Sequence, residues 1–160
     1  MRKERIHLKG ILILALVMLS ACIYKKPPEV KKNEVCFDDY CFDVELAMTL
    51  EDQQEGLMFR QSLEPTQGML FIFPNNQRHG FWMKNTKIPL DILWLNENFR
   101  VVDIAHGVMP CQGDPCPSYY PQNLSRYVLE INAGVSQQWG INIGDKAEFK
   151  LLTSGHNRPQ

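Results

Sequence analysis

Residues 1–21 divide into three parts, and the division decides where the rest of the chain folds. Arg2, Lys3, Arg5 and Lys9 make a basic stretch, Ile11 to Leu19 an apolar run, and Ser20 and Ala21 a small-residue end. Basic, apolar and small segments in that order make a signal peptide. As a helix the apolar run reaches ~14 Å at ~1.5 Å per residue, against a hydrocarbon core of ~30 Å, so a permanent transmembrane span is disfavoured. The remainder of the chain is expected to fold after export.

Leu19-Ser20-Ala21-Cys22 resembles the lipobox of bacterial lipoproteins, which implies that Cys22 is lipidated and becomes the first residue of the mature chain. The alternative is a plain secretory signal with an incidental cysteine. At ~0.8 kcal/mol per buried methylene, two or more acyl chains hold a protein at a bilayer without any spanning segment. The expected partner is therefore the membrane, reached through a lipid anchor. In a Gram-negative host Ile23 resembles the sorting signal for the outer membrane, facing the periplasm. In any other host the anchor places the protein on the outer face of the plasma membrane.

Seventeen Lys and Arg against eighteen Asp and Glu give a net charge of -1, and removal of four cations and one anion with residues 1–21 takes it to -4. Such a balance lacks the basic field that nucleic-acid binding draws on, so nucleic acid is excluded as a partner. Ile23 to Asn33 holds four Lys, two Pro and one Glu with little to bury, so residues 22–33 read as the lipidated Cys and a flexible tether. With 44% apolar and 22% charged residues in 160, the remainder fits one globular domain, and collagen, coiled coil and wholesale disorder are ruled out. That domain is expected over 34–153, with 154–160 a disordered tail.

Four further cysteines stand as Cys36-x4-Cys41 and Cys111-x4-Cys116, and an exported chain meets an oxidising compartment where thiols pair. Three connectivities are open. A two-residue turn at Asp38-Asp39 would make Phe37 and Tyr40 the closing pair and set Cys36 opposite Cys41, within disulfide reach. Gly113, Asp114 and Pro115 are turn formers between the other two. Local staples of about six residues contribute roughly 2 kcal/mol each, whereas a long-range Cys36 to Cys116 bridge would contribute ~4.5. Ease of formation favours the short pairs, and local pairing is the reading adopted. A thiolate zinc site or a catalytic dithiol would call for CxxC spacing, which is absent.

Cys41 to Ala47 alternates as a strand, and Thr49 with Asp52, running to Gly56, marks a short capped helix. Further strands are expected at Gly68–Phe73, Gly80–Met83, Ile88–Leu95, Phe99–Ala105, Tyr127–Ile131 and Ala147–Leu152. A polar turn at Asn96-Glu97-Asn98 pairs the strands either side of it as an antiparallel hairpin. One more helical turn fits Val135–Trp139. About seven short strands with one or two short helices imply a mainly β, compact antiparallel barrel or sandwich.

Four blocks then become recognisable: Gly56-Leu57-Met58-Phe59-Arg60, Gly68 to Phe73, Phe81 to Thr86 with Ile88 to Ile92, and Tyr127 to Gly134. In this order they resemble the domain-of-unknown-function family number 192, over about residues 42–152. Cys111 and Cys116 with Pro117 and Tyr119 match a segment common in that family; the Cys36/Cys41 hairpin does not. The resemblance implies a small, mainly β, often exported domain with no assigned activity.

Signatures of serine hydrolases, zinc proteases, dinucleotide binding and phosphate loops are missing. Asp91 falls on the strand face of Leu93 and Leu95, where a lone carboxylate is costly, so it needs a partner. Glu130 falls with Val128 and Asn132 on a face open to solvation, with Arg60, Lys84, Asn85 and Thr86 as available donors. Arg60, Trp82, Lys84, Asn85, Asp91 and Glu130 are thus the candidate ligand-binding residues, for a small polar ligand or an envelope component, set against purely structural ion pairs. No catalytic residue, metal ligand or cofactor is assigned. Two alternatives remain: a small hydrolase or lyase using Asp91 and Glu130 with His79, and soft-metal (copper) handling by Met58, Met69, Met83 and Met109 with His79 and His106. Trp82, Trp94, Tyr119 and Tyr120 fit either a stacking platform or ordinary packing.

Overall fold

The computed structural model describes residues 32–152. The signal peptide, Cys22, nearly all of the tether and the 154–160 tail lie outside the described residues. Among those described, the elements run β1 (Glu34–Phe37), β2 (Tyr40–Ala47), α1 (Leu50–Glu55), β3 (Gln67–Gln77), β4 (Phe81–Trp82), β5 (Leu90–Leu95), β6 (Val101–Val108), β7 (Ser118–Tyr119), β8 (Ser125–Asn132), α2 (Val135–Gln138) and β9 (Glu148–Lys150). Seven strands form one curled sheet, a half-barrel, in the order β6-β5-β8-β3-β2-β1-β9, while β4 and β7 make a separate two-stranded ribbon. The mainly β architecture matches the expectation.

One pairing departs from an all-antiparallel layout. β2 and β3 run parallel, with Val44 opposite Gly68 and Leu46 opposite Leu70. Parallel neighbours require a long crossover, and Met48 to Thr66 supplies it. Within that crossover Thr49 caps α1: its hydroxyl accepts from the Asp52 amide at 3.1 Å, and the Asp52 carboxylate accepts from the Thr49 amide at 3.2 Å. The helix stops at Gly56, whose φ of 51° suits a residue without Cβ.

Curling brings the sheet edges together. The Val101 amide donates to Asp145 O at 2.9 Å and the Ala147 amide to Phe99 O at 2.8 Å, so Arg100 bridges to Lys146 just before β9. One apolar cluster draws on both edges, from Val35 and Phe42 through Leu70, Leu93, Leu129 and Ile131 to Val101 and Ala147, and so fills the concave side. A second lies on the opposite face: Met69, Phe71, Ile92, Trp94 and Val128 are covered there by Leu57, Leu63, Met83 and Ile88. Every residue of β5 is consequently buried. This explains the near-continuous apolar run Leu90-Asp91-Ile92-Leu93-Trp94-Leu95, since a strand covered on both faces has no polar side to show.

The β1–β2 hairpin closes on Phe37 and Tyr40, with Cys36 directly opposite Cys41. Those two sulfurs are bonded at 2.08 Å across a Cα separation of 4.0 Å, and Cys111 and Cys116 at 2.12 Å across 5.7 Å. Intact mass under non-reducing conditions is expected to be lower by about four protons than after reduction. The double variant Cys36→Ala/Cys41→Ala should lose about 2 kcal/mol in urea titration, as the entropy of a loop this short implies. An unchanged midpoint would mean that strand pairing alone fixes the hairpin.

Candidate functional site

Asp91 finds its partners on its own concave face. Its Oδ1 accepts from the Gly107 amide at 2.7 Å, and Oδ2 from the Ser136 amide at 3.1 Å and the Ser136 hydroxyl at 2.6 Å. Gly107 has a φ of 58° beside a register shift between Leu90 and Ile92, so the carboxylate satisfies an amide that the bulge removes from the β5–β6 ladder. His106 Nδ1 lies 2.9 Å from Ser136 Oγ. Because that hydroxyl donates to Asp91, its oxygen faces the His106 ring nitrogen as an acceptor. The result is a saturated clamp joining β5, β6 and α2. The donors expected from the sequence, Arg60, Lys84, Asn85 and Thr86, take no part in it.

Glu130 corrects the sequence reading in the other direction. Its face is not solvated. It stands opposite Met69 and Ile92, both in the second apolar cluster, and is only 4% exposed. No donor among the described residues hydrogen-bonds its carboxyl, and burial alone raises its pKa from the ordinary 4.5 to about 8. A carboxyl largely withdrawn from water and without a hydrogen-bond partner holds its proton. Asp91 and Glu130 occupy adjacent strands but opposite faces, since Asp91 is opposite Ile131 and Ile92 is opposite Glu130. They cannot act as a pair on one substrate.

Over Glu130 lies a cavity of about 30 Å³, bordered by Gln53 to Met58, Phe71, Phe81, Trp82 and Thr86. That is room for one or two water-sized groups. A Cβ at Gly56 would lie 3.2 Å from the Phe71 ring and 3.8 Å from Glu130 Oε2; glycine there serves both the turn and the cavity. Two non-glycine residues with positive φ sit beside it, Phe59 at 65° and Asn85 at 57°, and the Phe59 amide donates to Asn85 O at 2.9 Å. Strained backbone held this way gathers at sites where geometry is under functional demand.

The other candidates are distributed differently. Arg60 grips Glu45 through two bonds of 2.5 and 2.6 Å; that pairing raises the pKa of the guanidinium and holds the Glu45 carboxyl below its usual range. Lys84 lies 3.5 Å from Asp114 and 5.5 Å from the centre of the Trp82 ring. Trp82 is 46% exposed at the pocket rim, whereas Trp94 is core. His79 stacks on Phe73 with centroids 3.6 Å apart, and burial lowers its pKa. Met69 and Met83 are core side chains, Met58 borders the pocket over Glu130 and Met109 is exposed, so the four methionines occupy three different settings. Glu34, Cys36 and Cys41 approach one another within 4.8 Å, but the two sulfurs are spent on each other.

Comparison with known proteins fixes the relationship. The profile of DUF192, described as uncharacterized ACR, matches residues 33–149. The chain belongs to the DUF192 family. UPF0127 protein PH1112 of Pyrococcus horikoshii is 30% identical over 112 residues, 67% of this chain and 87% of its own. UPF0127 protein PF1050 of Pyrococcus furiosus is 29% identical, over 61% of this chain and 78% of its own. A crystal structure of a Novosphingobium aromaticivorans protein of unknown function superimposes with a TM-score of 0.66 at 36% identity, covering 72% of this chain and 82% of that one. Each of the four sequence blocks that carry the DUF192 resemblance contributes to the Glu130 pocket: Gly56 to Met58 from the first, Phe71 from the second, Phe81, Trp82 and Thr86 from the third, and Glu130 from the fourth.

The buried acid makes the stability of this DUF192 domain depend on pH. Between 4.5 and about 8 the unfolded chain has released a proton that the folded chain still holds. Stability is therefore full below 4.5 and falls as pH rises through this window. In Glu130→Gln that fall should be absent and the melting temperature at pH 8 should exceed that of the parent by several degrees. Parallel pH profiles for parent and variant would show that Glu130 is ionised and solvated in the folded state.

Proposed function

We propose that this DUF192 protein is a lipid-anchored component of the cell envelope and acts as a non-catalytic binding or accessory module, taking a small polar ligand or envelope component at the pocket over Glu130. One observation carries the reading: a carboxyl buried with no donor among the described residues faces a small cavity where all four blocks of family resemblance meet. Unsatisfied buried polar groups are costly, so one kept at the floor of a cavity points to a partner that arrives from outside. The separation of Asp91 and Glu130 onto opposite faces weighs against a hydrolase or lyase using both. The dispersal of the methionines and histidines weighs against copper handling. Nucleic acid remains an unsuitable partner on charge grounds.

The anchor reading rests on Leu19-Ser20-Ala21-Cys22, and Cys22→Ser is expected to move the protein from the membrane to the soluble fraction; continued membrane association would refute it. The binding reading is tested by melting shifts across millimolar sugars, peptides, lipids and amines. Saturation at a hundred times Kd adds ~2.7 kcal/mol of stability, and the shift should be lost in Glu130→Gln. A flat panel, or shifts indifferent to that substitution, would overturn it.

A further inference from the structure

The pocket over Glu130 is acidic at its floor and aromatic at its walls. Phe71 and Phe81 meet edge to face with centroids 4.8 Å apart, and Trp82 stands half exposed beside them. Among the described residues, Glu55 at the end of α1 is the one titratable side chain besides Glu130 that borders the cavity, and no cationic side chain does so. Of the cations on neighbouring segments, Arg60 is paired with Glu45 and Lys84 with Asp114, the latter ammonium also lying over the Trp82 ring at the rim. Across from Glu130, β3 and β5 present Met69 and Ile92, which carry no charge.

A buried carboxyl, an acidic rim and aromatic walls together suit a compact cation. The carboxylate offers a charge-assisted hydrogen bond, and the aromatic side chains around it keep competing water out. Volume selects among cations: about 30 Å³ admits one or two water-sized groups and leaves out a planar guanidinium or a quaternary ammonium. Resting on the binding-module reading above, we propose that the pocket receives a primary ammonium group, carried by a small molecule or a peptide, whose N–H donates to the Glu130 carboxylate. At neutral pH the Glu130 proton passes to solvent as the ammonium enters, so binding releases about one proton per site.

The test is calorimetric titration of the full chain in detergent with n-butylamine, n-butanol and tetramethylammonium, from pH 6 to 9. The expected result is binding of n-butylamine alone, strengthening up to about tenfold per pH unit towards pH 8 and levelling above it, with proton uptake by the buffer. Glu130→Gln should abolish this binding at pH 8, and Trp82→Ala, at an exposed position, should weaken it severalfold while the fold stays intact by circular dichroism. Nα-acetyl-lysine amide and alanyl-alanine amide then separate a side-chain amine from a chain terminus as the source. If n-butanol binds as well as the amine, or affinity drops as pH rises through 8, the ammonium assignment falls while the polar-ligand pocket stands. If no probe binds, or binding ignores both substitutions, the ammonium assignment falls; failure of the sugar, peptide and lipid panel as well would remove the pocket reading with it.

Discussion

Covering of the central strands on both faces is the constraint on which the rest of this structure depends. β3, β5 and β8 have the concave apolar cluster on one side and the 57–88 segment on the other, so the side chains at their centres are committed to an interior. For Leu70, Leu93 or Trp94 this is simple burial, worth roughly 25 cal/mol per Å² of apolar surface. For an acid on the same strands it forces one of two outcomes, a set of donors or a retained proton. The fold contains both. Asp91 takes three donors from β6 and α2, while Glu130 takes none among the described residues and keeps its proton.

The difference between the two acids comes from what lies above each. On the concave side α2 comes closely after β8, and its Ser136 brings a backbone amide and a hydroxyl to Asp91 within one helical turn. On the other side the cover is a crossover whose polar groups already have partners away from Glu130: Thr49 and Asp52 each other, Gln53 the carbonyls of Ala47 in β2 and Ile72 in β3, and the Phe59 amide the carbonyl of Asn85. That loop is therefore satisfied without Glu130, and a gap of about 30 Å³ is left above the carboxyl. A single alanine at Gly56 would press a methyl group to within 3.2 Å of Phe71, in a backbone conformation that L residues resist. The gap is written into the backbone as much as into the side chains.

Much of this fold is legible in the sequence because the signals are local. The capping box at Thr49 and Asp52, the turn at Asn96 to Asn98 and the two-residue reversal at Asp38-Asp39 each act within four or five residues, and each appears where the pattern puts it. The parallel β2–β3 pair is not legible, since nothing local to either strand says which neighbour it takes across an intervening crossover. The site is legible only in part. Period-two alternation assigns Asp91 and Glu130 to their faces correctly, but it says nothing about what covers a face, and so it leaves Glu130 looking solvated. The one available signal is the crowding of apolar residues in the 56–90 segment, Leu57, Leu63, Met83 and Ile88 among them, which is more than a surface loop needs. Likewise the pairing of Arg60 with Glu45 depends on the crossover passing over β2, which no spacing reveals.

An acid kept like Glu130 costs the domain stability in a way that Asp91 does not. Isosteric replacement by Gln, or by an apolar residue, would remove a titration that lowers stability wherever the surroundings are neutral or alkaline, and the adjacent positions Met69, Ile92 and Val128 already provide an apolar setting for such a change. A purely structural role would be filled better by those alternatives, because a half-satisfied polar group in a core is inferior to none. In the binding role proposed above, a carboxyl at the floor of a gap serves work that comes from beyond the chain: it stays neutral until a cation enters, and charges when one does. The entering group need then displace only a proton and a water-sized volume rather than break an existing ion pair, at a cost in affinity that shrinks as pH approaches 8.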